Sequence, residues 1–235
     1  MRPPVFVALD VSSAEQAQGL VDQLGEQATH YKVGLQLYLA AGRPFVESLL
    51  AQGKRIFLDL KFHDIPNTVE HAVEQVARLG VDLCTVHALA GSEALGRAVA
   101  AADRVTGGTS APMEILAVTL LTSVNQAAAT AMGFSGEPLE QVIDRLAALA
   151  ALSGAHGIVC SAHEVARQKR ACPGLRALVP GIRPSGSDAD DQARTASPSE
   201  ALRQGADYLV IGRPITASPD PAATLAAIFR DLDER

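Results

Sequence analysis

The stretch Asp59-Leu60-Lys61-Phe62-His63-Asp64 places three formal charges where a strongly apolar segment ends. Side chains two apart on a strand share a face, so Asp59 and Lys61 are expected to point the same way, with Asp64 just beyond on the following loop. Lys32, in a second apolar segment, and Asp10, at the end of the first, add one charge of each sign. A desolvated ion costs on the order of several kcal/mol even after relaxation, so an alternating array of this kind is rarely kept for stability alone. Nearby carboxylates favour the ammonium form of a lysine, and such a lysine could donate a proton. The plainer alternative is a satisfied ion-pair network with no chemistry.

A second group of residues suits an anion. Tyr208 to Ile211 reads as a strand followed by Gly212-Arg213-Pro214. Glycine lets a backbone approach phosphate oxygens closely, and an arginine offers a forked set of donors to them. Gln192, in a long polar segment upstream, could donate from above. Alone, the Gly-Arg pair equally describes a turn followed by a surface arginine.

Positioning these groups requires a frame, and the chain supplies a regular one. Short apolar runs recur at Val5 to Leu9, Tyr31 to Leu35, Arg55 to Leu60, Leu83 to His87, Met113 to Leu120, Gly157 to Ser161, Arg176 to Val179 and Tyr208 to Ile211. They are too apolar to keep one face in water, as expected of parallel strands covered on both sides. Between them lie amphipathic helical stretches. One carries Val69, Ala72, Val73 and Val76 on a single face, with Asn67 and Glu70 spaced as a capping box and Gly80 as terminator. Ser197, Pro198 and Glu200 fit an N-cap, a first-turn proline and an N3 carboxylate, and Asp220-Pro221 opens a last helix with Leu225, Ile228, Phe229 and Leu232 on one face. Strand-helix alternation repeated eight times predicts a closed (β/α)8 barrel over an open doubly wound sheet, with residues 1–235 as one domain.

Active sites of such barrels sit at the C-terminal ends of the strands, and that is where Asp10, Asp59, Lys61 and Gly212 fall. Two longer segments, Thr122 to Glu137 and Pro184 to Ser197, follow the fifth and seventh strands and are candidate substrate-covering elements.

Composition narrows the function classes. A formal net charge of −6 with no basic stripe argues against nucleic acid as a partner. No run of eighteen apolar residues occurs, and the N-terminus leads straight into a strand without a signal-like region, so no membrane association and a cytoplasmic location are expected. Cys84, Cys160 and Cys172 lack metal or redox spacing and read as buried free thiols. His63 and His87 end neighbouring strands but form no compact ligand motif, so no metal is expected. Ser161 and His163 lack the Gly-x-Ser-x-Gly turn of a hydrolase nucleophile.

Taken together, Asp59-x-Lys61-x-x-Asp64-Ile65-Pro66-x-Thr68, Lys32-Val33-Gly34, Leu121-Thr122-Ser123, Pro180-Gly181-Ile182-Arg183 and Ile211-Gly212-Arg213 resemble the orotidine 5'-phosphate decarboxylase family, type 1 subfamily, in order and spacing over nearly the whole chain. The resemblance implies cofactor-free decarboxylation of orotidine 5'-phosphate to uridine 5'-phosphate through a carbanion-like intermediate at C6, the last step of de novo uridine monophosphate synthesis. It implies that Lys61 protonates C6, that Asp59 sits near the departing carboxylate, and that Asp10 and Lys32 meet the ribose hydroxyls. Thr122 would meet the pyrimidine, and Arg183, Gln192, Gly212 and Arg213 the phosphate. Asp64, Ile65 and Thr68 would reach the site of a second subunit, which implies a homodimer. A rival group resembles 3-keto-gulonate 6-phosphate decarboxylase and hexulose phosphate synthase, which use magnesium. Those proteins tend to carry a carboxylate where Lys32 stands, and an ammonium there would repel the cation. A nucleotide-binding barrel without catalysis would leave Asp59 and Lys61 without purpose.

Overall fold

The computed structural model describes residues 4–183 and 196–233. Eight strands run β1 (Val5–Ala8), β2 (His30–Gly34), β3 (Arg55–Phe62), β4 (Leu83–His87), β5 (Glu114–Val118), β6 (Gly157–Val159), β7 (Arg176–Val179) and β8 (Tyr208–Ile211). All neighbours are parallel, and β8 returns to pair with β1, closing the barrel. This is the (β/α)8 architecture predicted from the alternation.

Strand parity divides the apolar side chains into two cores. Phe6, Ala8, Phe57, Leu83, Leu116, Leu178 and Val210 fill the barrel interior. Their sequence neighbours, such as Val7, Leu58, Cys84 and Ile211, face outward into a larger cluster with the helices. Each fully buried aliphatic side chain contributes about 1.5–3 kcal/mol relative to exposure, so the two-sided burial of the strands accounts for their largely apolar middles, with most polar residues near the two ends of the barrel. Cys84 and Cys160 are buried as expected, while Cys172 is half-buried; all three are free thiols.

The N-terminal end of the barrel is plugged. Phe6 meets His30, Phe57 and Tyr208 edge to face, with ring centroids 5.1, 5.9 and 6.0 Å apart. Around it Arg55 pairs with Asp82, and Arg176 with Glu114 and Tyr208. The interior is therefore accessible from the opposite end, where the strands finish.

Several local expectations meet the structure unevenly. Ser197 caps the helix Pro198–Arg203 with a complete capping box to Glu200, and Asp220 accepts from the Ala223 N–H at 2.9 Å ahead of the helix Pro221–Asp233. Asn67 is not a cap: the helix Pro66–Ala77 starts two residues earlier than such a cap would set, with Ile65 at the N-cap and Pro66 in the first turn. Proline's fixed φ and missing N–H suit that position, so it sets the start and Asn67 falls inside. Glu70 instead pairs with Arg97 and Arg104 on the adjacent helix Ser92–Thr106. The excursion after β5 holds its own helix, Gln126–Ala131, capped by Asn125; Gln126 ties it to the Glu137 carbonyl and the Leu139 N–H.

Gly157 shows how closely the strands are packed. A Cβ there would stand 2.5 Å from the Arg176 carbonyl oxygen and 2.8 Å from Leu116 Cδ2. Gly157→Ala is expected to destabilise the barrel by about 1–3 kcal/mol through overpacking, lowering Tm by roughly 2–4 °C per kcal/mol for a chain of this size. A thermal melt indistinguishable from wild type would contradict this packing.

Candidate active site

The open end of the barrel holds a cavity of about 510 Å³. Its floor is apolar, from Phe57, Val118, Val159, Leu178 and Val210, and its walls carry the charged groups Asp10, Lys32, Asp59, Lys61, Arg183 and Arg213. Parity explains why the charges converge. Asp10 continues the inward series of Phe6 and Ala8, and Lys32 pairs in register with the inward Phe57. Asp59 stands two residues beyond Phe57 on β3, so it enters the same lumen one layer higher.

Lys32 Nζ donates to Asp10 Oδ1 at 2.8 Å and lies 3.8 Å from Asp59 Oδ2. Lys61 Nζ donates to that same Asp59 oxygen at 2.7 Å. One carboxylate oxygen thus faces two ammonium groups. The Asp59 side chain is 10% exposed and Lys32 11%, against 32% for Lys61 and 56% for Asp10. The array therefore grades from a dry centre to a wetter rim, and Lys61 reaches into the open part of the cavity. Gly34 makes room for the Lys32–Asp10 pair: a Cβ there would stand 3.1 Å from Lys32 Nζ and 3.2 Å from Asp10 Oδ1.

Lys61 does not reach Asp59 by the regular pleat. The β3–β4 register slips between Leu58, opposite Cys84, and Phe62, opposite Val86. Asp59, Leu60 and Lys61 thus face the single residue Thr85. Lys61 has φ of 50°, the sole positive value among the described non-glycine residues. A left-handed conformation at such a residue costs about 1–3 kcal/mol and is held only where the surroundings enforce it. The shared-face expectation was right in outcome, but the bulge produces it.

At the far side Gly212 precedes the short turn of helix Arg213–Thr216, and Gly212, Arg213 and the 9% exposed Arg183 border the same cavity, as does Thr122. Gly212 lies against Ala8, with its would-be Cβ 3.4 Å from Ala8 Cβ, so the backbone closes on the first strand. Gln192 lies outside the described residues.

Asp64, Ile65 and Thr68 are not brought into this cavity. All three are exposed, Ile65 at 66%, and the Asp64 carboxylate accepts from the Ile65 N–H at 2.7 Å. Leu35 and Leu39 are also exposed, at 53% and 82%.

Two features escaped the sequence reading. Thr85 is fully buried at an inward position of β4; the available signal was a hydroxyl two residues before His87 in an apolar strand. His63 and His87 stack, with ring centroids 5.3 Å apart and planes 29° from parallel. The buried Nδ1 of His87 has no hydrogen-bond partner among the described residues. Burial, followed by the electrostatic influence of the neighbouring His63 and Lys61 side chains, holds the His87 imidazole below its ordinary pKa. Among the described residues no three His, Cys, Asp or Glu side chains are grouped to hold a metal ion.

Comparison with known proteins supplies the context. The model of the family described as Orotidine 5'-phosphate decarboxylase / HUMPS matches residues 3–228. The chain is 46% identical over 230 residues to an orotidine 5'-phosphate decarboxylase of Pectobacterium atrosepticum, covering 97% of this chain and 92% of the relative. It is likewise 46% identical over 230 residues to one of Pseudomonas aeruginosa, covering 97% of both. The crystal structure of orotidine 5'-phosphate decarboxylase from Lactobacillus acidophilus superimposes with a TM-score of 0.88 at 36% identity, covering 99% of this chain and 100% of that one.

The depressed His87 pKa makes a stability statement. Between the unfolded and folded values the unfolded chain binds the proton first, so the contribution present above about pH 6.5 is lost as pH falls through the folded value. Urea unfolding between pH 7.5 and 5.5 is expected to show a larger loss of stability for wild type than for His87→Asn. Equal losses would contradict the assignment.

Proposed function

The chain belongs to the orotidine 5'-phosphate decarboxylase / HUMPS family, and from that membership we propose that it converts orotidine 5'-phosphate to uridine 5'-phosphate and carbon dioxide, the last step of de novo uridine monophosphate synthesis. The observation that carries the reading is the single Asp59 oxygen facing Lys61 Nζ at 2.7 Å and Lys32 Nζ at 3.8 Å in a half-enclosed cavity with a cationic far wall.

In this reading the C6–carboxylate bond breaks, its electron pair stays on C6, and carbon dioxide leaves. The Lys61 ammonium stabilises the developing negative charge and transfers a proton to C6, so a C–H bond replaces the C–C bond and water later reprotonates the amine. Fixed charge aimed at the site of developing charge stabilises the transition state more than the bound substrate. Asp59 lies beside the departing carboxylate and keeps Lys61 turned toward C6. Asp10 and Lys32 hold the ribose hydroxyls, and Thr122 meets the pyrimidine. Arg183, Gln192, Gly212 and Arg213 take the phosphate, and binding energy gathered at that remote group orients the base.

The reaction is assigned to one barrel domain working without a cofactor. Lys32 supports this: its ammonium lies between Asp10 and Asp59, where it would repel a divalent cation. The partner in this reading is a second copy. Asp64, Ile65 and Thr68 follow β3 as exposed residues, and Leu35 and Leu39 are exposed large apolar side chains, which suits a surface that covers a second subunit. Neither nucleic acid nor a membrane enters; no described helix is long and apolar enough to cross a bilayer. The expected location is cytoplasmic.

The test is an absorbance assay. Purified protein mixed with orotidine 5'-phosphate is expected to deplete the substrate's ultraviolet band, equally with and without a chelator. Lys61→Ala is expected to keep its circular dichroism spectrum and lose turnover by at least about a thousandfold. Turnover within tenfold of wild type would remove Lys61 from its role, and chelator inhibition reversed by magnesium would favour the metal-dependent branch.

A further inference from the structure

We propose that Thr85 is a positioning residue for the decarboxylation, fixing both the Asp59 carboxylate and the backbone of Lys61; this rests on the reading of function above. Thr85 is 0% exposed and borders no part of the cavity, so it does not touch substrate. Its hydroxyl makes two bonds. It donates to Asp59 Oδ1 at 2.9 Å and accepts from the Lys61 N–H at 2.9 Å.

The two bonds divide the work of the carboxylate. Asp59 Oδ1 is anchored to the barrel wall by Thr85, which sets the plane of the group and presents Oδ2 to Lys61 and Lys32. A carboxylate without that anchor could rotate about its terminal torsion, which is broad. The second bond replaces a ladder interaction. Where three residues of β3 face one residue of β4, the regular backbone pattern cannot be completed, and the Lys61 N–H is satisfied by a side chain instead. That bond falls on the residue whose φ is 50°. One hydroxyl thus supports the left-handed turn that aims Lys61 and the carboxylate that receives it.

The chemistry demands this residue type. The group must accept from an N–H and donate to a carboxylate through one atom, which a hydroxyl does and a methyl or a backbone carbonyl does not. Valine keeps the shape and the β-branching while deleting both bonds. Displacement of reacting groups by about 1 Å can cost on the order of a hundredfold in rate, and the phosphate contacts proposed for the far side of the cavity are untouched by such a change. The effect should therefore fall on kcat rather than on KM.

The experiment compares wild type, Thr85→Val, Thr85→Ser and Thr85→Cys on orotidine 5'-phosphate, with uridine 5'-phosphate affinity measured by calorimetry. In Thr85→Val, kcat is expected to fall on the order of a hundredfold, with KM and product affinity at wild-type values. Thr85→Ser, which retains the oxygen, is expected to restore kcat. Should the valine variant not fold, Thr85→Cys, with a weakly hydrogen-bonding sulfur in similar space, is expected to show the same selective loss. Wild-type kcat in either deleted variant, a serine variant as slow as valine, or a loss confined to KM would overturn the inference while leaving the reaction assigned. A wild-type protein that does not consume the substrate would overturn the functional reading and this inference with it.

Discussion

The molecule is organised around one carboxylate oxygen shared by two lysines. Asp59 sits almost dry at the end of the third strand, with Lys61 in hydrogen-bonding contact and Lys32 just outside it. Removing such charges from water costs several kcal/mol per ion, and their attraction repays that only if geometry and remaining hydrogen bonds are good. Here the second oxygen of Asp59 is taken by Thr85, and Lys32 has Asp10 as its near partner. Every member of the array is held by another member or by the wall, so displacing one exposes the others to an unfavourable burial.

The barrel makes that geometry possible. Inward parity stacks an aromatic layer at the closed end, an aliphatic layer above it and a charged layer at the mouth. The apolar layers exclude water from beneath the charges, which strengthens their interactions and leaves one face open to a ligand. The bulge in β3 then breaks the pleat where a regular strand would leave Lys61 directly above Asp59, and turns the ammonium back to the carboxylate. Cationic groups on the opposite rim complete a cavity with a reactive side and an anion-holding side.

Much of this is legible in the sequence. Apolar runs buried on both faces are a strong signal, so all eight strands and their inward charges could be placed, with Asp10, Lys32 and Asp59 in the lumen. The bulge was not legible, because a register slip depends on the partner strand as much as on β3 itself. Thr85 was missed for the same reason: its two bonds reach residues 26 and 24 positions away in sequence. Asn67 is not the cap because a proline able to start the helix two positions sooner overrides the capping pattern. Asp64, Ile65 and Thr68 carry a motif, yet all three are exposed and none lines this chain's own cavity, because they lie past the point where β3 leaves the barrel.

The most direct measurement of the central interaction is a double-mutant cycle on unfolding free energy, using Asp59→Asn, Lys61→Met and the pair. A shared, largely desolvated ion pair predicts a coupling energy of about 1 kcal/mol or more. Additive effects, within about 0.3 kcal/mol, would mean that the two groups do not hold one another and would contradict the account.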